Sequence, residues 1–397
     1  MGTHVGLVAY RRLIAQGGSA LIRPTTAYDG LNATVGLVSA LSNRPLTVTD
    51  LGDHVDVLPP HDASAAPEPV LAFHTSGSTG SPKCVVYRRT TVTRHARAIA
   101  DALHLGADDL RHVALPPPNF AYGLSIVHSH HEAGVPVEFA PATWGLPEVT
   151  HGDDPLALYL LPQHTPLLLQ SALPADRLRR IIVAGGRLSA AAARALAARF
   201  PRAELVNMYG QAELGPRLSL WRGPLSEFTE GTIGHPLPQV TLDLRDETGR
   251  PTTGRGRLYA ATPYAMSWVI PPPYTQVLPG PPPQTPVDTG DAAMSSPGGD
   301  LVHLGRADHV INVAGTKVDA QCLRAAVEDA FRPLVVRVSA RAARAGGDDV
   351  PVVDVVPSAH PVSKGAVKRV LAAEIGALAG LCDVRIVEEL HLTESGK

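Results

Sequence analysis

Residues 74–83, reading HTSGSTGSPK, constrain this chain more than any other stretch. Gly77 and Gly80 are interleaved with Thr75, Ser76, Ser78 and Thr79, Lys83 follows Pro82, and the whole stands directly behind the apolar run 69–73. That is the composition of a phosphate cradle. Glycines let backbone amides approach an anion, hydroxyls donate to its oxygens, and a lysine adds positive charge. The spacing is not that of the Walker loop, because Ser81 and Pro82 separate Gly80 from Lys83 and no hydroxyl residue follows the lysine. It is not the dinucleotide fingerprint G-x-G-x-x-G either.

Around this loop the pattern alternates. Short apolar runs at 71–73, 84–87, 113–115, 136–140, 156–161, 180–183 and 205–208 read as strands, with helical spacing after Thr90 or Thr91 as a cap, at 125–133, and at 189–200 with Ser189 as the cap. Strand and helix in alternation imply an α/β fold with a largely parallel sheet, whose ligands bind beyond the carboxyl ends of the strands, at the loops near Thr75, Ala184 and Tyr209. Upstream, 5–9, 20–22 and 46–48 read as strands, 30–41 as a helix and 59–69 as a linker. Downstream, 242–244, 256–260 and 301–304 read as antiparallel strands and the proline-rich 271–286 as an irregular loop. After Gly305 a small α+β unit is expected, with helices at 319–331 and 363–378 and strands at 335–339, 350–356 and 384–387.

Composition narrows the function. The 397 residues are 44% hydrophobic and 18% charged with a net charge of −2, so no broad basic surface points to nucleic acid or an acidic membrane. No stretch holds the run of apolar residues that spanning a bilayer requires, and three widely spaced cysteines lack C-x-x-C; a reducing cytoplasm is the expected setting. His128, His130 and His131 cluster, but no cysteine or carboxylate completes a metal site, and they read as surface or partly buried helix residues.

Five further stretches follow the glycine loop in order: NFAYGL (119–124), AGGRLS (184–189), NMYGQAE (207–213), DTGD (288–291) and GRADHVINVAG (305–315), and the sequence ends on TESGK. Together over residues 70–397 they resemble the adenylate-forming superfamily of acyl-CoA synthetases, aryl-CoA ligases and peptide-synthetase adenylation domains. The resemblance implies three segments. Residues 1–69 would be a shortened N-terminal segment and linker, 70–306 an ATP- and acyl-binding core, and 307–397 a small mobile α+β domain hinged at Asp308.

It also implies chemistry. A carboxylate attacks the α-phosphate of ATP, pyrophosphate leaves, and a thiol of CoA or of a phosphopantetheine carrier protein takes the acyl group. Thr75, Ser76, Gly77, Ser78, Thr79 and Gly80 would wrap the β- and γ-phosphates with Lys83 alongside. Asn207, Tyr209, Gly210 and Gln211 would bind the nucleotide, Tyr209 against the adenine, while Glu213 would hold Mg²⁺ and Gly185 and Gly186 would wall the pocket. Asp291 would accept the ribose hydroxyls, Arg306 would assist at ribose or phosphate, and Lys397 would reach the reacting carboxylate. Ala212 stands where relatives carry a threonine or serine, which removes one hydrogen bond to a charged group, about 1.5–3 kcal/mol.

Phe120, Tyr122, Gly123 and Ala184 would meet the acyl group. Amino-acid-activating relatives place an aspartate in the first of these stretches, and NFAYGL has none. A carboxylate-free, aromatic wall favours an apolar or aromatic acid over an amino acid, because a buried ammonium without a partner is costly. Two alternatives stand beside acid–thiol ligation: transfer of the adenylate to an amine or other nucleophile, and a non-catalytic nucleotide-binding subunit.

Overall fold

Ile181, Ile182 and Val183 are all fully buried, which a strand achieves only when both faces of its sheet are covered. They belong to the strand Leu178–Val183, at the middle of a layer that runs in the order Val137–Phe139, Arg111–Ala114, Leu156–Leu160, Leu178–Val183, Glu204–Gln211, Gly215–Pro224, Thr232–Pro236. The first five of these strands are parallel and the last two antiparallel. This computed structural model describes residues 7, 10, 12, 13, 15, 16, 18–22, 31–42, 46–49, 55–58, 69–75, 82–107, 109–140, 152–307, 310–313, 316–331, 334–341, 350–357 and 361–387.

The chain divides into two compact units, Met1–Leu242 with Tyr259–Val287, and Asp243–Leu258 with Asp288–Lys397. Besides the layer above, the first unit holds a seven-stranded sheet in the order Leu278–Pro279, Trp268–Ile270, Cys84–Arg88, Val70–His74, Ser19–Ile22, Leu46–Thr49, Val55–Leu58. Strands from the first 69 residues thus share a sheet with the strands that flank the glycine loop. Helix Arg89–Leu103 presents Ala96, Ile99, Ala100 and Leu103 to the core at helical spacing, and helix Ala121–Ala133 packs against it.

In the second unit a hairpin, Val310–Val313 with Thr316–Asp319, precedes helix Ala320–Ala330. Strands Leu334–Arg341 and Val350–Pro357 are antiparallel, and Asp383–Ile386 joins the latter in parallel. Leu323 and Val327 on one helix, and Val367 and Leu371 on helix Lys364–Ile375, meet Val336, Val353 and Val355 in a core of their own. Residues four apart on a helix share a face, so each helix contributes one apolar stripe.

Several local expectations change. Leu7 and Tyr10 are helical, where residues 5–9 read as a strand. The helix expected to start on Thr90 or Thr91 has Arg88 as its N-cap and no side-chain cap; its first N–H, of Arg89, donates to Pro69 O (2.9 Å). The helix read from Ser125 begins at Ala121. Tyr209 lies in a strand rather than a loop, and DTGD lies within strand Val287–Ser295. His128 and His130 are buried rather than on the helix surface: His128 Nε2 lies 2.7 Å from Tyr10 Oη, and His130 Nδ1 donates to Ile126 O (3.0 Å). Ser189 caps helix Ala190–Arg199, accepting from Ala192 N–H at 3.1 Å. Of the expected linker 59–69, residues 59–68 lie outside the described residues.

Candidate active site

The site grows from strand ends. Asn207 pairs with Val183, and Val183 with Leu160, so the chain leaves three adjacent parallel strands at the same level. Ala184, Gly185 and Gly186 follow there, with both glycines exposed. Gly185 has φ +79°, and a Cβ on it would come within 2.8 Å of Leu161 Cδ2 and 3.8 Å of the Tyr122 ring, so this position is held open by glycine. Asn207 donates through Nδ2 to Thr232 O (2.8 Å), whereas its buried Oδ1 has no partner among the described residues. A buried acceptor left unpaired is costly and suits a ligand donor.

Beyond Asn207 the strand shifts register between Tyr209 and Gln211, at Gly210. A Cβ on Gly210 would lie 2.3 Å from Pro216 O, so only glycine lets the two strands close at this irregularity. The turn that follows is tied from outside. Tyr87 Oη donates to Ala212 O and accepts from Gly215 N–H (3.2 Å), its ring stacked parallel on Phe73 at 5.7 Å. Burial above all, and the nearby Glu213 carboxylate after it, raise the Tyr87 phenol far above its usual range, so it stays a donor.

Glu213 is thereby presented, partly exposed, with its carbonyl accepting from Met266 N–H (2.9 Å) and its Oε1 3.7 Å from Lys83 Nζ. Lys83 O in turn accepts from Thr75 N–H (2.8 Å), which closes the base of the glycine loop. The structure therefore brings Thr75, Lys83 and Glu213 together in one unit.

The acyl-side residues lie at the start of helix Ala121–Ala133. Phe120 is its N-cap and is 44% exposed; Tyr122 is buried and donates to Ile182 O (2.9 Å). Gly123 is required, since a Cβ would lie 2.0 Å from Pro117 O. Alongside is Arg217, an arginine only 4% exposed, whose guanidinium carbon stands 4.0 Å from the Tyr122 ring centre. Its Nη1 donates to Pro216 O and its Nη2 to Tyr122 O at 3.5 Å, and burial lowers its pKa to about 10. His95 Nε2 donates to Arg217 O (2.7 Å). An apolar cavity of about 30 Å³ lies next to it, bounded by Tyr87, His95, Leu124, Ser125 and Pro216 among others.

In the second unit, Asp291 is buried and its Oδ1 lies 3.5 Å from both Arg306 Nη1 and His303 Nε2. Arg306 Nη1 also donates to Thr289 O (2.9 Å), and the guanidinium covers Gly290, where a Cβ would come within 2.4 Å of Nη2. Asp291 and Arg306 are thus joined to each other. Ser76, Gly77, Ser78, Thr79 and Gly80, together with Asp308 and Lys397, lie outside the described residues.

Two residues escape sequence reasoning. Tyr87 reads as one more apolar position of its strand, and nothing local announces the bond its hydroxyl makes to residues 212 and 215. Arg217 had a signal: it stands in GPRLSL beside Leu218 and Ser219, both fully buried, in the strand Gly215–Pro224 inside the sheet. Among the described residues no group of three or more His, Cys, Asp or Glu side chains is arranged to hold a metal. The single carboxylate of Glu213 nonetheless fits Mg²⁺, which commonly takes one or two protein carboxylates and completes its shell with phosphate oxygens and water.

A carboxylate and a lysine 3.7 Å apart beside the two ends of the glycine loop, and strand ends followed by Gly185 and Gly186, lie in one unit of an α/β protein. The chain belongs to the AMP-binding enzyme family, whose model it matches over residues 19–268. It is 25% identical over 348 residues to bacitracin synthase 3 of Bacillus licheniformis, a match covering 82% of this chain and 5% of that synthase's length. In fold it is similar to the o-succinylbenzoate CoA synthetase of Bacillus subtilis in complex with its acyl-adenylate intermediate (TM-score 0.74, 16% identity, 98% of this chain and 90% of the other). It is likewise similar to the amide bond synthetase McbA from Marinactinospora thermotolerans (TM-score 0.66, 19% identity, 100% and 91% covered).

Proposed function

We propose that this chain uses ATP to convert a carboxylic acid to an acyl-adenylate, releasing pyrophosphate, and passes the acyl group to a thiol of CoA or a carrier protein. The observation that carries the reading is Glu213 facing Lys83 at the base of the glycine loop, 3.7 Å apart with both side chains partly open to solvent. An attack by one anion on another needs charge neutralised and the reactants aligned. Lys83 and the loop amides supply positive charge for the phosphates, and Glu213 is the residue that would hold Mg²⁺. The metal would neutralise phosphate charge when bound.

The other roles follow the resemblance. Tyr209 offers a ring face to adenine, the backbone at Gly185 and Gly186 lets a ligand approach closely, and the unpaired Asn207 Oδ1 supplies an acceptor. Asp291 and Arg306 are assigned to ribose, Asp308 to the hinge and Lys397 to the reacting carboxylate. Tyr122, Gly123 and Ala184 wall the acyl group, with Phe120 at the exposed entry. The acid has an apolar or aromatic body, since no described carboxylate in this wall could pair an α-ammonium.

Acid-dependent exchange of labelled pyrophosphate into ATP tests the reading. Exchange with at least one acid of a broad panel is expected, lost in Glu213→Gln; a chain that binds ATP yet exchanges with no acid overturns it. Product masses with CoA, carrier protein or amines then identify the acceptor.

A further inference from the structure

Lys83 can be aimed at a phosphate only if its backbone is held, because its side chain is 46% exposed and turns about several free torsions. Each peptide is a rigid plane, so the two planes flanking a Cα set the direction in which its side chain leaves the chain. The plane after Lys83 is held across the base of the glycine loop, where Lys83 O accepts from Thr75 N–H (2.8 Å). The plane before it is held from elsewhere in the sequence: Pro82 O accepts from Tyr274 Oη (2.7 Å), 192 positions away. Just beyond, Cys84 is fully buried and pairs with Ile270 in the neighbouring strand. Both peptides around the Lys83 Cα are thus fixed, one by the loop itself and one by a distant side chain.

That side chain belongs to the proline-rich segment 271–286, of which Tyr274 is the single buried residue. It follows three prolines and has φ +66°, the left-handed region that a residue bearing a side chain seldom adopts. Its N–H donates to Pro271 O (2.8 Å), and its ring joins Cys84, Ile270 and Val277 in one apolar cluster. A phenol is protonated at neutral pH and donates. An uncommon backbone conformation points to a role for the side chain it carries, and here the hydroxyl ends on the peptide that leads into Lys83.

We propose that Tyr274 is a positioning residue for ATP: by holding Pro82 O it sets the Pro82–Lys83 peptide, and through it the direction in which Lys83 meets the β- and γ-phosphates. The inference rests on the adenylation reading above and adds to that site a residue from outside every motif that marked it. Tyr87 fastens the turn that bears Glu213 and Tyr274 the peptide before Lys83, so each member of the facing pair has a buried tyrosine behind it. Orientation decides how much a site gains from a charge. AMP lacks the phosphates that Lys83 serves, so the tether acts on ATP and not on AMP.

Tyr274→Phe removes the hydroxyl and keeps the ring. Calorimetric titration with ATP and with AMP, both with Mg²⁺, compares wild type, Tyr274→Phe, Lys83→Ala and the double variant. In Tyr274→Phe the Kd of ATP should rise about 10-fold while that of AMP stays within about 2-fold. In pyrophosphate exchange the KM of ATP should rise and the KM of the acid should not. Lys83→Ala should weaken ATP as well, and adding Tyr274→Phe to it should weaken ATP no further, because the tether acts through the lysine. An unchanged ratio of ATP to AMP affinity, whether neither nucleotide is weakened or both equally, would make Tyr274 merely structural and overturn the inference; so would additive losses in the double variant. The ratio is taken within each variant, so partial unfolding does not imitate the expected result. If no acid supports exchange while Tyr274→Phe still loses ATP selectively, the adenylation reading fails and the positioning role stands. A wild type that binds no ATP overturns both.

Discussion

Lys83 Nζ lies 3.7 Å from Glu213 Oε1 although the two residues stand 130 positions apart, one at the foot of the glycine loop and the other at the turn after NMYGQA. Both side chains are substantially exposed, 46% and 29%, so the pair contributes little to stability; exposed ion pairs are typically worth about 0–1 kcal/mol. Charge opposition at such a place is better explained by a ligand. Glu213→Gln should lower acid-dependent pyrophosphate exchange by roughly 10²–10³-fold, as removal of an electrostatic group does in a preorganised site. Its unfolding free energy in urea should stay within about 0.5 kcal/mol of wild type. Equal losses of activity and stability would make the pair structural.

Gly210 and Gly36 make opposite predictions from the same substitution. A Cβ at Gly210 would sit 2.3 Å from the Pro216 carbonyl oxygen, backbone that cannot move aside. Gly210→Ala should cost about 1–3 kcal/mol and reduce adenylation with it, because the strands carrying Tyr209 and Arg217 must part. At Gly36, within helix Leu31–Ser42, the added methyl meets nothing within 4 Å. Gly36→Ala should therefore stabilise by about 0.5–1 kcal/mol, since only helix propensity changes. Urea midpoints for both variants check the pair.

What could be read before the fold was known follows from burial. The end of strand Leu178–Val183 announces itself because Ile181, Ile182 and Val183, covered on both faces, form an apolar run, and helix Ala190–Arg199 because its cap is a side chain. The start of helix Arg89–Leu103 was not legible, since no side chain caps it. Strand Val55–Leu58 and hairpin Val310–Val313 with Thr316–Asp319 are short and hold too few residues for a period to emerge. At the site, motif order exposed Lys83 and Glu213, yet their approach depends on Tyr87, which no motif contains. Arg217 was not singled out because an arginine in sequence reads as solvated, and only its burial shows otherwise.

Tyr87 should separate positioning from binding. Its hydroxyl joins Ala212 O and Gly215 N–H, the two ends of the turn that bears Glu213. Tyr87→Phe keeps the stack on Phe73 and removes both hydrogen bonds, leaving a buried donor and acceptor unpaired at a cost of about 1–3 kcal/mol. At a temperature where the variant is fully folded, exchange activity should still fall. The loss should appear in kcat more than in the KM of the acid, because Glu213 is displaced while the Tyr122 wall is not. An unchanged kcat in the folded variant would show that the turn needs no tether.

Stability of the first unit should fall on mild acidification. Burial lowers His74 and His95 from 6.5 to about 4, against weaker opposing hydrogen bonds to Ile22 O and Arg217 O, and lowers His128 well below 6.5. All three are neutral in the folded chain at pH 6, whereas the unfolded chain starts to protonate them below 6.5. The unfolded state then binds more protons, so stability decreases as pH falls from 6.5 towards 4, by about 1.4 kcal/mol per pH unit for each histidine at the steepest, and the two that titrate near 4 add no further loss below that. Above pH 7 these groups contribute no slope. Urea unfolding at pH 7.0, 6.0 and 5.0 should show midpoints dropping across this range. His74→Gln, which keeps a donor for Ile22 O but cannot titrate, should reduce the drop by about one proton's worth. A variant as acid-sensitive as wild type would mean that His74 protonates freely in the folded chain.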